Sequence, residues 1–202
     1  MTSSATTAGT TPAGTPGTTR TPALKEWAAV AHALLDGRQA LLLRKGGIHE
    51  KRFAVGAPRF LLFPTVAHSH ADAVRPEHHD LLAPGLADAG TDDLVLRVGL
   101  EVFEALPVRR VDQVDDLADL HVWTPGSVRR TRVDFRPRHE LTALVVRAWE
   151  LPEPLRLHRL PEHGGCLSWL ELPLAWPAGS GRRVHDDAHL ASVAAAVRER
   201  TG

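Results

Sequence analysis

The residues best able to do chemistry gather at the end of one apolar run, Leu41 to Glu50, LLLRKGGIHE. Three leucines lead into Arg44 and Lys45, and Gly46 and Gly47 follow. Glycines let a backbone approach a ligand closely, and successive amides beside two cations can hold an anion. The order excludes a Walker A loop, in which the glycines precede the lysine and a helix follows it. The structural alternative is a hairpin with a charged, solvated end.

A second concentration is Ser127 to Arg138, SVRRTRVDFRPR, which sets Arg129, Arg130, Arg132, Arg136 and Arg138 around Phe135. Guanidinium and aromatic groups together bind phosphates and stack on bases. The alternative is ion pairing with Asp112, Asp115, Asp116 and Asp119. The chain carries 24 basic and 24 acidic residues and no formal net charge. That argues against a protein held to nucleic acid by overall positive charge and leaves room for a local basic patch. Of the 24 cations 21 are Arg, so Lys25, Lys45 and Lys51 stand out against an arginine default.

The histidines His49, His68, His70, His78 and His79, with Asp72 and Glu77, are of metal-ligating type. They lack the HExxH spacing and read better as solvated groups in a polar segment, so no metal is expected. Cys166 follows Gly164-Gly165 and has His163 nearby, the kind of neighbour that lowers a thiol pKa. A tight turn feeding a packed strand, with the cysteine buried, is the favoured account. A single cysteine excludes an internal disulfide and a Cys-based zinc site, and it fits a reducing compartment. No charged segment followed by an apolar run opens the chain, and no apolar run nears the roughly 20 residues of a membrane span. The expected location is the cytoplasm, away from membranes.

These residues need elements to position them. Residues 1–20 are mostly Thr, Ser, Ala, Gly and Pro and read as a disordered tail; residues 21–202 read as one domain. Thr21-Pro22 looks like a helix start, and Leu24, Trp27, Ala28, Ala31, Leu34 and Leu35 have helical spacing, with Gly37 as the terminating glycine. Strands are expected at Gln39–Leu43, Arg59–Phe63, Leu94–Leu106, Leu141–Leu151 and Ser168–Leu172, with an edge strand at Leu120–Trp123. Ala67–Leu86 reads as short helices and loop, Gly85–Asp93 as a surface loop, Val111–Asp119 as a short helix and Val184–Arg200 as a closing helix. The fold class is α+β: a mostly antiparallel sheet or small β-barrel, flanked by N- and C-terminal helices, since long crossover helices are missing.

Four blocks, taken in order, carry a resemblance. Leu24-Lys25-Glu26-Trp27, the run LLLRKGGI from Leu41, Arg59 to Thr65 (RFLLFPT) with His68 after it, and Gly165 to Trp169 (GCLSW) together resemble the bacterial DUF1802 family. That family has no known function, so the resemblance implies a grouping and no activity. Phe63 stands where a tyrosine is expected, in a chain without tyrosine. A fainter likeness, in the helix, the turn at Gly37-Arg38 and the strand ending at Arg44, is to the opening of PUA-like ASCH domains.

Two classes of function follow. The leading one is binding of RNA, DNA or a phosphate-bearing small molecule through Arg44, Lys45, Gly46, Gly47, Thr65, Arg129, Arg130 and Arg132. The alternative is a metal-dependent hydrolase or nuclease using Glu26, Lys45, Glu50 and His68, or else a protein-interaction module. Glu26 is expected to pair with Arg44 or Lys45. Whether the chain is an enzyme, and with what cofactor, does not follow from these residues.

Overall fold

The computed structural model describes residues 19–46, 52–67, 69–165 and 167–202. The expected tail over residues 1–18 lies outside them, as do Gly47, His49, Glu50, Lys51, His68 and Cys166. The elements are β1 (Thr21–Trp27), α1 (Ala28–Leu35), β2 (Leu41–Lys45), β3 (Arg59–Thr65), α2 (His70–Ala73), α3 (Leu82–Asp88), β4 (Asp93–Val108), α4 (Pro125–Val128), β5 (Leu141–His158), β6 (Trp169–Leu172), β7 (Arg182–Arg183) and α5 (Asp187–Thr201). Tight 3-10 turns occupy Pro76–Leu81, Val111–Leu120 and Pro161–His163, and a wider π turn follows α4 at Arg129–Val133.

The seven strands form one open sheet in the order β2-β5-β4-β3-β1-β6, with β7 also paired to β5. All pairings are antiparallel except β1 with β3, so the sheet is mixed; of the two expected forms the mostly antiparallel sheet is found, and the barrel is not, since the sheet stays open. Its two sides are both covered. In β3 the run RFLLF sends Phe60 and Leu62 into a core shared with α1 and α5, and Leu61 and Phe63 into a second core with Leu94, Leu96, Leu151 and Leu172. A strand buried on both faces is continuously apolar rather than alternating, as this one is.

The largest correction concerns the start of the domain. Thr21–Trp27 is a strand, and the helix begins only at Ala28. Leu24, Trp27 and Ala28 satisfied a helical period, but β3 and β6 claim the segment from either side, through Leu24↔Leu62 and Leu24↔Trp169. Tertiary pairing overrides weak local propensity in this way. The remaining helix, AAVAHALL, buries Ala28, Ala29, Val30, Ala31, Ala33 and Leu34, an all-round apolar surface suited to the interior. Gly37, at φ 70°, ends it as expected.

Other differences are smaller. Leu120–Trp123 makes only a single bridge, Val74 with Trp123, rather than an edge strand. Gly85–Asp93 is helical as far as Asp88, whose buried carboxylate meets His32 at 2.8 Å and Arg97 at 2.7 Å. The closing helix starts at Asp187, where the Asp186 side chain accepts the His189 N–H at 2.8 Å. Among the described residues no helix is long and apolar enough to cross a membrane.

Candidate functional site

The ends of β1 and β3, which run parallel, and the end of β2 open on a cleft of about 800 Å³. Its walls include Lys25, Glu26, Trp27, Arg44, Thr65 and Arg132. The far wall brings Arg159 and His163, with backbone from Ala89–Thr91 and Gly164–Gly165. All four sequence blocks that carry the family resemblance therefore reach this one cleft.

Glu26, 3% exposed, closes β1. One carboxylate oxygen, Oε1, accepts the Trp27 N–H at 2.9 Å, and Oε2 accepts Arg44 Nη1 at 2.8 Å. Arg44 Nη1 also donates to the Lys25 carbonyl at 3.1 Å, and its guanidinium lies 5.2 Å from the centre of the Phe53 ring. The Thr65 hydroxyl donates to the Glu26 carbonyl at 3.0 Å, tying β3 to the same corner. The expected partnership of Glu26 is thus with Arg44. It starts from the end of a strand instead of a helix face.

Lys45 goes elsewhere. Its Nζ donates to the carbonyls of Arg132 at 2.7 Å and Val133 at 2.9 Å, at the end of the π turn, where orphan carbonyls attract a cation. Desolvation lowers its pKa, Asp134 opposing and Arg132 adding to the shift. In return Arg132 Nε donates to the Leu43 carbonyl at 2.8 Å. This exchange clamps the α4 segment onto β2 and carries Arg132 into the cleft. Desolvation also pulls the Arg132 pKa below its ordinary value; Glu26 opposes the shift and Arg44 adds to it.

On the far side, Lys25 Nζ donates to the carbonyls of Gly164 at 2.8 Å and Gly165 at 3.1 Å. Gly165 has φ 71°, the left-handed region that suits a residue without Cβ, so the turn can present its carbonyl to the lysine. Arg159 donates to the Gly90 carbonyl at 3.3 Å and lies 5.8 Å from the Phe63 ring centre. His163 Nδ1 accepts the Leu160 N–H at 3.0 Å, which fixes the neutral imidazole with its proton on Nε2. Burial lowers its pKa, Glu162 opposing and Arg159 and Lys25 adding, so the neutral form is favoured.

The Arg-rich segment divides. Arg132 joins the cleft, whereas Arg129 reaches Asp115 at 2.6 Å, realising the ion-pairing alternative. Arg130 is exposed and does not line the cleft, and Arg136 and Arg138 line a separate depression with Pro137 and His139. Gly46 is buried beyond the end of β2. Of the hydrolase set, Glu26 and Lys45 are engaged as described, and Glu50 and His68 lie outside the described residues. The other histidines serve packing and turns: His70 is edge-on to Trp27 at 4.8 Å, His78 faces Arg75 and His79 meets the Val74 carbonyl. Among the described residues no group of three or more His, Cys, Asp or Glu could hold a metal ion.

Sequence reasoning about the site missed Arg159 and the role of Lys25, and weighed His163 only as a neighbour of Cys166. Lys25 lies in the segment expected to be helical, and Arg159 lies beyond Leu151, where the expected strand ends.

The family described as a domain of unknown function (DUF1802) matches residues 23–196. No curated protein and no solved structure matches the chain.

Proposed function

The chain belongs to the DUF1802 family, a domain of unknown function, and from that premise we propose that it binds a phosphate-bearing ligand, a nucleotide or a stretch of RNA or DNA, in the cleft. The observation that carries this reading is Arg132. It lines the cleft half-buried, with a pKa that desolvation lowers; its Nε rests on a neutral carbonyl, and it forms no ion pair among the described residues. A guanidinium taken out of water without a counter-charge is costly, and an anion set against it offsets that cost.

Glu26 supplies only part of the counter-charge, because it is held by Arg44 at 2.8 Å, whose own charge acts against Arg132. Arg44, Arg132 and Arg159 face this one carboxylate among the described lining residues, so these arginines leave a positive excess. Guanidinium groups suit phosphate because their paired N–H groups match its oxygens. A cytoplasmic location, where phosphate esters are abundant, is part of the same proposal. A PUA-like or ASCH-like ancestry is not needed for it.

The test is equilibrium binding of mononucleotides and of single-stranded RNA and DNA, with and without divalent metal, and with cleavage followed in the same samples. Retention that weakens as salt rises, and that is lost in Arg132→Ala, supports the reading. Cleavage that depends on metal would favour the hydrolase instead. Failure of every phosphate-bearing probe to bind would overturn the proposal.

A further inference from the structure

Two side chains at the mouth of the cleft take no part in holding an anion. Val66, 41% exposed, and Leu167, 64% exposed, are among the few large apolar side chains that the described residues leave in solvent. Both line the cleft. They come from different segments, Val66 just past β3 and Leu167 just before β6. Single exposed apolar residues need no account, but here two line the same cleft as Arg132. Trp27 lines the same wall, its ring braced by His70 at 4.8 Å and Trp123 at 5.0 Å.

The cations fall in separate depressions and do not follow one track. Arg44, Arg132 and Arg159 line one cleft; Arg136 and Arg138 line a depression that shares no lining residue with it. Arg129, which would have extended the line, is held by Asp115 at 2.6 Å. A nucleic-acid strand carries a phosphate at every nucleotide, and its binders follow it with cations along a groove. A cleft of about 800 Å³ instead has the size of a small-molecule pocket.

Building on the anion-binding reading above, we infer that the occupant is a mononucleotide rather than a strand. Its phosphate lies against Arg132, which lines the cleft and forms no ion pair among the described residues, and its base covers Val66 and Leu167. The apolar lip then contributes affinity that a sugar phosphate cannot use.

Calorimetric titration of the full chain with AMP, CMP, GMP and UMP, with ribose 5-phosphate and with a single-stranded oligonucleotide tests this. The tightest mononucleotide should bind about tenfold or more tightly than ribose 5-phosphate, the size of effect that burying one base gives. The double variant Val66→Ser, Leu167→Ser changes only exposed positions, so the fold should persist. It should remove the mononucleotide advantage and leave the affinity for ribose 5-phosphate unchanged. Equal binding of ribose 5-phosphate and all four mononucleotides would overturn the inference, as would an oligonucleotide that binds far more tightly than any of them. Either result leaves the anion-binding reading standing, whereas silence from every phosphate-bearing probe removes both.

Discussion

Around α5, Arg198 meets Glu104, Arg200 meets Asp119, and Arg147 sits between Glu101 at 3.0 Å and Asp187. In the cleft, Arg132 and Arg159 donate instead to the carbonyls of Leu43 and Gly90, and neither forms an ion pair among the described residues. The residue type is the same in both regions. A carboxylate cancels the charge of the arginine it holds, whereas a carbonyl fixes the side chain and leaves the charge in place. A surface built the first way is neutral and self-contained; one built the second way is prepared for an anion. The formal charge of zero for the whole chain conceals this division.

The most severe way to break the comparison is to remove Glu26, the one carboxylate among the described lining residues of the cleft. Glu26→Gln leaves Arg44 buried without its counter-charge, with side-chain exposures of 3% and 10% for the pair. A loss of about 3–5 kcal/mol is expected in denaturant unfolding. Replacing both residues with Met should recover most of it. A loss in the single variant below about 1 kcal/mol, the range of surface pairs, would mean that the pair is not buried as described.

Next in size is an acid effect from the 3-10 turn region that supports the paired surface. His121, 2% exposed, accepts the Trp123 N–H on Nδ1, and burial, reinforced by the charge of Arg75, pushes its pKa down from 6.5 to about 4. The folded state holds the ring neutral while the unfolded chain takes up a proton below its ordinary value. Stability is therefore lost as pH falls from about 6.5 toward about 4 and is flat with respect to this group below that. The loss amounts to about 3 kcal/mol, and unfolding midpoints across that pH range would register it. His121→Asn should flatten the dependence; an unchanged slope would show that another group controls it.

Binding experiments sharpen the comparison more gently. Arg132→Ala should weaken a phosphate-bearing probe about 10- to 100-fold, the worth of hydrogen bonds to a charged group, with Arg129→Ala as the control that changes little. If the two variants behave alike, the division between paired and carbonyl-held arginines has no functional meaning. The smallest effect belongs to the paired surface itself. Arg198→Ala and Arg200→Ala should each cost under about 1 kcal/mol, because exposed pairs gain little in water. A larger loss in thermal or denaturant unfolding would show that these pairs act as a network.

Much of the scaffold was legible. RFLLF is apolar throughout because both of its faces are buried, and Gly37 stops α1 where expected. Strands β4 and β5 occupy the expected places and run further, β5 as far as His158. That extension was hidden by Pro152 and Pro154. They fall in a register shift, with Val98 opposite Glu150 and Leu96 opposite Leu155, where the ladder asks for no N–H. The helix expected from Leu24 failed for the opposite reason: its residues suited a helix locally, but two neighbouring strands offered more hydrogen bonds and burial.

By itself, the sequence determined the inventory: an arginine-rich neutral chain, strands buried on both faces, one cysteine, and cations placed at the end of a leucine run. It also contained the blocks that assign the family. The tertiary structure decided which cation meets which partner. Lys45, the most conspicuous candidate, is turned to two carbonyls and does not line the cleft, and Arg44 is spent on Glu26. Arg132 is left to face the cleft, and Lys25 closes it by reaching Gly164, 139 residues away in the chain. Charges and hydrogen bonds act over a few ångströms, so the chemistry of each cation depends on what the fold sets beside it, and sequence spacing does not carry that distance.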